Sequence, residues 1–550
     1  MTKIFDFFKP KITSKNYFFL FALLTGILVG TSYIPLPAWA LPFCYIPLWY
    51  AAVQAEKQNH SLKFIFTLGW VSQFVLTLIG FYWIYYTGTE FGDLHPVLAG
   101  ASLFLFCSLM HIYIPAALTL AVWLKRKLNL SENRFIFLIA ANLILFERLW
   151  PSIFEWNLGY TLLWMKWPLF QWADTVGFWG LSSLILFTQA FILFLLLQFK
   201  TDKINSYIGF VSLFILICVL HFGALQKEKS WSKTDDVFNV MITQGNIANE
   251  EKLASEKGLG FQPFVLQTYI DLVQTELNKS TQKPDALLWP ETAMPFALDS
   301  AYSHRPNQQK LQNQIQLWNT VLLTGGYSQD THEKDHLGNY KIRNSIFFLG
   351  PNLRAIENSQ LPKPYFKSDL LVFGEYMPFG QQFPILYKWL PFVGIYEKGP
   401  GPVLKTITTP ENKKFNLGPQ ICYESLNSNF SRGLSQSGAD IIFNATNDSW
   451  YGDQTEPFQH LTMTLARGIE VRRPLIRATN TGISTVILAN GQILEQSKMN
   501  QAWAHTYSVA YLKSAPQSFY TNYGHYDFIL WILFLLLIVF FRKDTQHVRH

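Results

Sequence analysis

The chain has 550 residues, of which 49% are hydrophobic, 16% aromatic and only 15% charged. This composition is too apolar and too poor in charge for an ordinary water-soluble protein, and it favours a membrane protein. The formal net charge of +7 does not indicate nucleic-acid binding, because the lysines and arginines stand in short loops between apolar runs and not in one cluster on a folded domain.

Apolar runs of about 20 residues predict the membrane-spanning helices. Two of the runs, 39–53 and 135–150, are short for a span, but the loop charges alternate between the two sides of the membrane only if both of them cross. The eight predicted spans are residues 17–34, 39–53, 63–86, 96–124, 135–150, 176–199, 207–225 and 526–541.

Basic residues in the loops predict the orientation of these spans. They precede the first span, follow every second crossing and end the chain, whereas the opposite loops carry no charge or the acidic Glu90 and Asp93. Both termini are therefore expected in the cytoplasm. The first span is expected to be an uncleaved anchor, because no small-residue cleavage site follows a short apolar core. The basic residues are Lys3, Lys9, Lys11, Lys15, Lys57, Lys63, Lys125, Arg126, Lys127, Arg134, Lys200, Lys203, Arg542, Lys543 and Arg549.

These assignments predict three parts of the chain. Residues 1–229 form a membrane domain with seven spans, residues 230–522 form a domain outside the cytoplasm, and residues 523–550 contain the last span and a cytoplasmic tail. The middle part alternates between strand-like and helix-like runs, which predicts a layered α/β fold. Its expected strands are 237–247, 285–289, 320–327, 344–349, 415–421, 440–445 and 484–488, and its expected helices are 250–278, 306–318 and 456–471.

Cys422 is the only cysteine of this polar domain, since Cys44, Cys107 and Cys218 fall within predicted spans. No disulfide framework is therefore available inside the domain. A lone cysteine is more often a small buried apolar residue than a nucleophile. An unpaired thiol in an oxidising compartment is nevertheless a liability that invites a functional explanation.

Three short motifs supply a chemical role for this thiol. LLWPETAMP contains Glu291, YFKSDLLVFGEYMP contains Lys367 and Glu375, and PQICYESLN contains Cys422. A free thiol is only a few per cent ionised at neutral pH, so it needs a base and a nearby cation. Glu291 can be the base, and Lys367 with the backbone N–H of Tyr423 can stabilise an oxyanion. From chemistry alone this trio is one candidate among many sets of Glu, Lys and Cys.

The order WPE, then K followed by FGE, then CYE resembles the nitrilase superfamily, whose members use a Glu-Lys-Cys triad on an αββα sandwich. Six further stretches extend the resemblance along nearly the whole chain, and with the spans they are similar to the apolipoprotein N-acyltransferase family. These stretches are QGNI at 244–247, NDSWYG at 447–452, FQHLTMTLARGIEVRRPLIRATNTGIS at 458–484, YTNYGHYDF at 520–528, NLGYTLL at 157–163 and DTVGFWGLSSL at 174–184.

The resemblance implies an acyl transfer in two steps with ping-pong kinetics. The cysteine takes an acyl chain from a phospholipid, typically the sn-1 chain of phosphatidylethanolamine, as a thioester. The α-amine of the diacylglyceryl-cysteine of an apolipoprotein then attacks the thioester, which completes lipoprotein maturation. The implied setting is the bacterial inner membrane with the catalytic domain in the periplasm, and a monomer without nucleic acid, metal or cofactor.

The resemblance also implies roles for single residues. Cys422 would be the nucleophile, Glu291 the base and Lys367 the electrostatic stabiliser. The supporting residues would be the carboxylates Glu375 and Glu424, the backbone donor Tyr423, and Asn344 in an RNS stretch, although asparagine is also common in turns. His460 is expected to be a hydrogen-bonded structural residue on a helix.

Two departures from the family pattern concern neighbouring residues. Leu253 stands where the family often has tryptophan, which puts substrate contacts there in doubt, and Ser368-Asp369 replaces a more basic or polar pair after Lys367. The aromatic loop 381–399 is expected either to belong to the core or to dip into the bilayer and admit acyl chains.

Two other functions stay open at this stage. A membrane-tethered amidase or nitrilase-type hydrolase could use the same triad with water as the acceptor. A transporter or receptor could use the outer domain only to bind a ligand, but it would more often carry ionisable residues in mid-span.

Overall fold

The computed structural model describes residues 15–540 except 91, 200, 257–259, 300–304, 336–337, 353–362 and 391–392. The chain divides into two compact units. Unit 1 comprises Met1–Tyr85, His95–Gln226 and Tyr523–His550, and unit 2 comprises Tyr86–Leu94 and Lys227–Asn522. The segment Tyr86–Leu94, which was expected to be a loop of the membrane domain, therefore clusters with unit 2.

Helices account for nearly all the regular structure outside unit 2, and those in the first part of the chain follow the predicted apolar runs. Among the described residues, four segments are long and apolar enough to cross a membrane: Leu62–Phe81, Pro96–Leu128, Pro168–Gln198 and Lys203–Ser230. Lys15–Gly30 and Asp527–Phe540 are shorter apolar helices. The remaining helices up to residue 172 are Ile46–Lys57, Trp83–Glu90, Glu132–Leu149, Tyr160–Trp164 and the 3-10 turn Pro168–Trp172.

The predicted span 96–124 is interrupted. The apolar segment Pro96–Leu128 consists of the two helices Pro96–Leu109 and Tyr113–Leu128. Pro115 lies in the first turn of the second helix, where its missing N–H costs least, and it could not occupy the interior of a continuous helix without breaking a hydrogen bond. The predicted span 96–124 is therefore built from two consecutive helices, a break that the apolar pattern did not predict.

The two weak runs also form helices, Ile46–Lys57 and Glu132–Leu149. Most of their residues are buried, whereas only 6% of the apolar window of Lys203–Ser230 is buried. The structure thus places a helix on each of the two runs that are short for a span.

Unit 2 contains two β-sheets. In the first, the strand order is β12-β1-β2-β4-β5-β6 with β3 beside β4, and in the second it is β11-β10-β9-β8-β7. The strands β1, β2 and β4 are parallel, as are β8, β9 and β10. The strands are β1 Asp236–Gln244, β2 Ala286–Leu288, β3 Met294–Ala297, β4 Val321–Lys334, β5 Tyr340–Leu349, β6 Tyr365–Phe366, β7 Lys405–Thr408, β8 Lys414–Ile421, β9 Ile441–Thr446, β10 Leu475–Thr479, β11 Thr485–Ile487 and β12 Trp503–Tyr511.

Side chains join the two sheets, and helices cover their outer faces. The rings of Phe238 and Phe415 are 4.6 Å apart between the sheets. On the first sheet, Tyr269 of the helix Gln262–Lys279 stacks on Trp289 at 4.9 Å. The layers therefore follow the predicted αββα order. The helices of unit 2 are Asn249–Glu256, Gln262–Lys279, Arg305–Trp318, Ile385–Trp389, Ser428–Gln436 and Glu456–Val471, and Phe519–Tyr523 leads into Asp527–Phe540.

The seven expected strands are confirmed, and the helices expected at 306–318 and 456–471 are present. The single helix expected at 250–278 was wrong, because two helices occupy this stretch. Gly260 before the second helix has φ of +93°, which a continuous helix cannot accommodate, and Pro263 follows at the helix start. The strands β3, β6, β7, β10 and β12 were not predicted.

Candidate active site

The three residues of the expected triad each lie just after a strand of unit 2. Glu291 follows β2, Lys367 follows β6 and Cys422 follows β8 directly. Cys422 has φ of +48°, a left-handed conformation that is unfavourable for a residue with a side chain. It thus stands on a sharp turn between β8 and the 3-10 turn Cys422–Leu426.

The turn that carries Glu291 needs a glycine on the neighbouring strand. A Cβ atom at Gly325 would lie 2.4 Å from both the Pro290 carbonyl oxygen and the Thr292 nitrogen. Only glycine allows β4 to approach this closely, and the Gly325 N–H donates to the Pro290 carbonyl at 3.2 Å. The close approach of β4 at Gly325 therefore fixes the backbone position from which the Glu291 side chain extends.

Lys367 lies between two carboxylates. Its Nζ donates to Glu291 Oε1 at 3.2 Å and to Glu375 Oε1 at 2.8 Å, and its side chain is 2% exposed. Asn344 Nδ2 also donates to both carboxylates, at 2.7 Å to Glu291 and at 3.2 Å to Glu375. The structure thus brings together one cation, one amide and two carboxylates that the sequence placed on separate motifs.

Charges around the site shift the pKa values of both Lys367 and Cys422. Burial alone would lower the pKa of Lys367, but Glu291, Glu375 and Cys422 raise it well above its ordinary value, so the ammonium stays charged. Burial raises the pKa of the Cys422 thiol, the Glu291 carboxylate raises it further, and Lys367 opposes the change. Cys422 is therefore a thiol at neutral pH and needs a base before it can attack.

Glu424 belongs to a separate group of contacts behind the cysteine turn. Its Oε1 accepts from the Tyr365 hydroxyl at 2.6 Å and from the Ser368 N–H at 2.5 Å, and its Oε2 accepts from the Ile421 N–H at 2.6 Å. Burial raises the pKa of Glu424 to about 8, and these donors act in the opposite direction. Glu424 thus connects the start of the cysteine turn to the segment that carries Lys367.

The unusual Ser368-Asp369 pair takes part in the same connection. Besides the Ser368 N–H, the Asp369 carboxylate accepts from Asn427 Nδ2 at 2.8 Å. The departure from the family pattern therefore leaves these two residues as links between the lysine and cysteine loops. The side chain of Leu253, the other departure, lies outside the described part of the structure.

A buried polar network beneath the cysteine was only partly anticipated. His460 makes a hydrogen bond from Nδ1 to Asp448 Oδ1 at 2.9 Å, in agreement with the expected structural role. Asp448 Oδ2 accepts from Arg477 Nη2 at 2.6 Å. Asp448 and Arg477 were within quoted motifs, but neither was singled out, because charged residues are usually solvated and only their burial here shows otherwise.

Asp448, Glu456 and His460 also place potential metal ligands within 4.8 Å of one another, which is the one such group among the described residues. Arg477 occupies one oxygen of Asp448, however, and its positive charge repels a second cation. Burial would raise the pKa of Asp448, but Arg477 and His460 lower it to about 2. This geometry fits an ion-paired network better than a metal site.

The aromatic loop after Lys367 has large exposed side chains. Trp389 is 71% exposed and Phe383 is 59% exposed. The loop is fixed near its base, where the Gly394 N–H donates to the Gly374 carbonyl at 2.8 Å beside Glu375. Phe383 and Trp389 therefore do not belong to the core, whereas Val393 of the same loop is buried.

Two family matches cover most of the chain. Residues 25–191 match the apolipoprotein N-acyltransferase N-terminal domain, and residues 265–515 match the carbon-nitrogen hydrolase family. The chain is similar to the apolipoprotein N-acyltransferase of Bdellovibrio bacteriovorus, with 44% identity over 98% of this chain and 95% of that protein. It is also similar to the enzymes of that name from Geobacter metallireducens, with 27% identity over 96% of both chains, and from Haemophilus influenzae, with 28% identity over 96% and 95%. A solved amidase from Nesterenkonia is 14% identical, covers 50% of this chain and 90% of its own, and gives a TM-score of 0.33.

Proposed function

The chain belongs to the apolipoprotein N-acyltransferase family, and we propose that it transfers an acyl chain from a phospholipid to the N-terminal amine of diacylated apolipoproteins. Phosphatidylethanolamine is the proposed donor, and the reaction is the final step of lipoprotein maturation. The observation that best supports the chemistry is the Lys367 ammonium between Glu291 and Glu375, electrostatically coupled to the buried Cys422 thiol.

The first half-reaction forms a thioester. Glu291 takes the proton from Cys422 Sγ, and the sulfur attacks the ester carbonyl of the phospholipid to give a tetrahedral oxyanion. Lys367 and the backbone N–H of Tyr423 stabilise that charge. The C–O bond then breaks, the lysophospholipid oxygen takes the proton from Glu291, and the acyl chain remains on sulfur.

The second half-reaction transfers the chain to nitrogen. The neutral α-amine of the diacylglyceryl-cysteine attacks the thioester, and Glu291 accepts the proton that the amine loses. The C–S bond breaks, the thiolate leaves next to Lys367, and Glu291 returns the proton to sulfur. One nucleophile used in two steps gives ping-pong kinetics. We propose that the enzyme acts as a monomer, because the triad does not need a residue from a second chain.

We propose that eight helices span the inner membrane, with residues 1–229 and 523–550 as its membrane parts and residues 230–522 in the periplasm. Contacts between expected cytoplasmic loops support this arrangement. Lys57 pairs with Glu132 at 2.6 Å, and Arg126 donates to the His60 carbonyl at 2.8 Å. Among the basic residues next to the two termini, Lys15 is described, and Lys3, Lys9, Lys11, Arg542, Lys543 and Arg549 lie outside the described residues.

A contact inside unit 2 supports the periplasmic side of the same proposed topology. The Thr87 hydroxyl donates to the Trp450 carbonyl at 3.2 Å, so the segment after Leu62–Phe81 contacts the 3-10 turn Asp448–Tyr451 of the proposed catalytic domain. Both would then face the periplasm. Cysteine substitution at Glu90 followed by labelling with an impermeant maleimide in intact cells tests the assignment, and labelling only after lysis of the inner membrane would contradict it.

The exposed aromatic loop is proposed to contact the acyl chains of the bilayer. Trp389→Ser removes a large apolar side chain from that surface, so the KM for phospholipid in vesicles should rise about five- to tenfold while kcat changes little. Leu317→Ser is the matched control, because Leu317 is 77% exposed on the helix Arg305–Trp318 of the same unit. Equal effects of the two substitutions would contradict a specific role of the loop.

Mass spectrometry of a lipoprotein N-terminus tests the proposed activity in cells. Cells that depend on this protein should contain triacylated N-terminal peptides, and depletion of the protein should leave the diacylated form. Triacylation that persists after depletion would refute the assignment. Release of free fatty acid unaffected by a diacylated peptide would instead favour a hydrolase with the same triad.

A further inference from the structure

The backbone carbonyl of Cys422 accepts two buried side-chain donors. The Ser425 hydroxyl donates to it at 2.9 Å, and Asn444 Nδ2 donates to it at 3.2 Å. Both side chains are fully buried. Two donors on one carbonyl fix the orientation of that peptide group in a turn whose first residue has a left-handed conformation.

Hydrogen bonds connect both donors to a single nitrogen of Arg477. Arg477 Nη1 donates to Asn444 Oδ1 at 3.1 Å and to Thr464 Oγ1 at 3.0 Å. Thr464 Oγ1 and Ser425 Oγ are 2.8 Å apart, and since Ser425 gives its hydrogen to the Cys422 carbonyl, the Thr464 hydroxyl donates to Ser425. Two hydrogen-bonded paths therefore begin at one guanidinium nitrogen and end at one carbonyl oxygen.

The guanidinium at the start of these paths is buried and fixed. Arg477 is 0% exposed, and its Nη2 is occupied by Asp448 at 2.6 Å. Asp448 is held on its other oxygen by His460. A cation that cannot turn toward solvent polarises both paths in the same direction, and each donor in such a chain strengthens the next.

The Cys422 carbonyl and the Tyr423 N–H belong to the same trans peptide group, so both bonds lie in one plane and point in opposite directions. Donors on the oxygen fix that plane and make the N–H a stronger donor. We propose that Arg477, through Asn444 and through Thr464 and Ser425, aims and polarises the Tyr423 N–H at the oxyanion. These four are positioning residues, and the inference rests on the proposed role of that N–H in acyl transfer.

Ser425→Ala tests this inference in the full-length protein in detergent with phosphatidylethanolamine. Loss of one donor to the carbonyl should slow formation of the Cys422 acyl-enzyme about tenfold. Alkylation of Cys422 by iodoacetamide should stay within about twofold of wild type at every pH, because displacement of iodide creates no oxyanion. A general disturbance of the cysteine turn would slow both reactions.

Three further variants complete the experiment, one as a control and two as a second test of the same path. Ser431→Ala removes a fully buried hydroxyl that accepts from Gln420 Nε2 at 2.8 Å, away from the Cys422 carbonyl, and it should leave both rates unchanged. Thr464→Val removes the middle of one path and should slow acylation like Ser425→Ala. Thr464→Ser keeps the hydroxyl and should restore the rate. The Thr464 pair provides the test if Ser425→Ala does not fold.

Acylation at the wild-type rate in both Ser425→Ala and Thr464→Val would overturn the inference, as would an equal loss of acylation and alkylation. Failure of the proposed function has a different signature, because the wild-type protein would then form no acyl-enzyme although iodoacetamide still alkylates Cys422. Selective loss of acylation, with recovery in Thr464→Ser, is the result expected.

Discussion

The two groups of buried carboxylates near Cys422 are stabilised by different partners. The Oε1 atoms of Glu291 and Glu375 share the Lys367 ammonium and the Asn344 amide, which are side chains, while Glu375 Oε2 accepts the Leu371 N–H at 2.8 Å. Glu424 instead accepts two backbone N–H groups and the Tyr365 hydroxyl with its two oxygens. The shared Oε1 atoms of the first group can therefore exchange protons among side chains, whereas both oxygens of Glu424 hold the backbone or the Tyr365 side chain in place. The comparison distinguishes residues that take part in proton transfer from residues that fix the shape of the site.

The largest effect is expected at the proposed nucleophile Cys422, near which both groups lie. Cys422→Ala should lower acyl transfer to a diacylated lipopeptide by about 10⁴-fold or more, because no other thiol can form the thioester. Cys218→Ala, which removes a partly exposed free thiol of the helix Lys203–Ser230, should leave activity intact. Substantial transfer by purified Cys422→Ala enzyme would show that the nucleophile lies elsewhere.

Lys367→Met removes the cation that Glu291 and Glu375 share. The rate of acyl-enzyme formation should fall by about 10²–10³, because the tetrahedral intermediate loses its stabilising charge and Glu291 and Glu375 are left with like charges close together. Single-turnover kinetics with labelled phospholipid measures this step. A change in KM alone would mean that Lys367 binds substrate and does not stabilise the transition state.

Glu424→Gln tests the second group, in which Glu424 accepts backbone N–H donors. An amide NH₂ would replace one oxygen that now accepts a backbone N–H, so the free energy of unfolding should drop by about 1–3 kcal/mol. Activity should fall less than in Lys367→Met, because the triad keeps its charges. Glu411→Gln, at a half-exposed ion pair with Lys283, is the control and should change stability little. An unaltered unfolding transition in Glu424→Gln would remove the distinction between the two groups.

The smallest effect concerns the pH dependence of thiol reactivity. Burial and then Glu291 raise the pKa of Cys422, with a further contribution from Glu375 in the same direction. Removing one negative charge in Glu375→Gln should therefore lower that pKa, and alkylation by iodoacetamide should increase at pH 7 and reach its plateau at a lower pH. A profile displaced to higher pH would mean that Glu375 favours the thiolate.

The same comparison shows which residues the sequence could identify. Glu291, Lys367 and Cys422 stand in short motifs at the ends of strands, so their proximity follows from the expected sheet and the family resemblance. The Arg477 network does not follow, because Arg477 lies in the middle of the unpredicted strand β10, where a charged residue normally argues against a buried strand. Its partners come from β9, a 3-10 turn and a helix, and only tertiary burial brings them together.

Helix ends were predictable only where the sequence carries a clear signal. The helix Glu456–Val471 was predicted with its observed bounds. The break near Gly260 was missed although glycine and Pro263 were visible, because the polar and apolar residues continue with helical spacing across it. The interruption before Tyr113–Leu128 was missed for a similar reason, since hydropathy alone does not distinguish one long apolar helix from two.

The central claim is that Cys422 carries the acyl chain between donor and acceptor. The most direct measurement incubates purified wild-type protein with phosphatidylethanolamine and no acceptor, and then analyses the intact protein and its peptides by mass spectrometry. A hydroxylamine-sensitive acyl group on Cys422, discharged to product when a diacylglyceryl-cysteine peptide is added, is the predicted result. Formation of triacylated peptide at the full rate without any acyl group on Cys422 would contradict the claim.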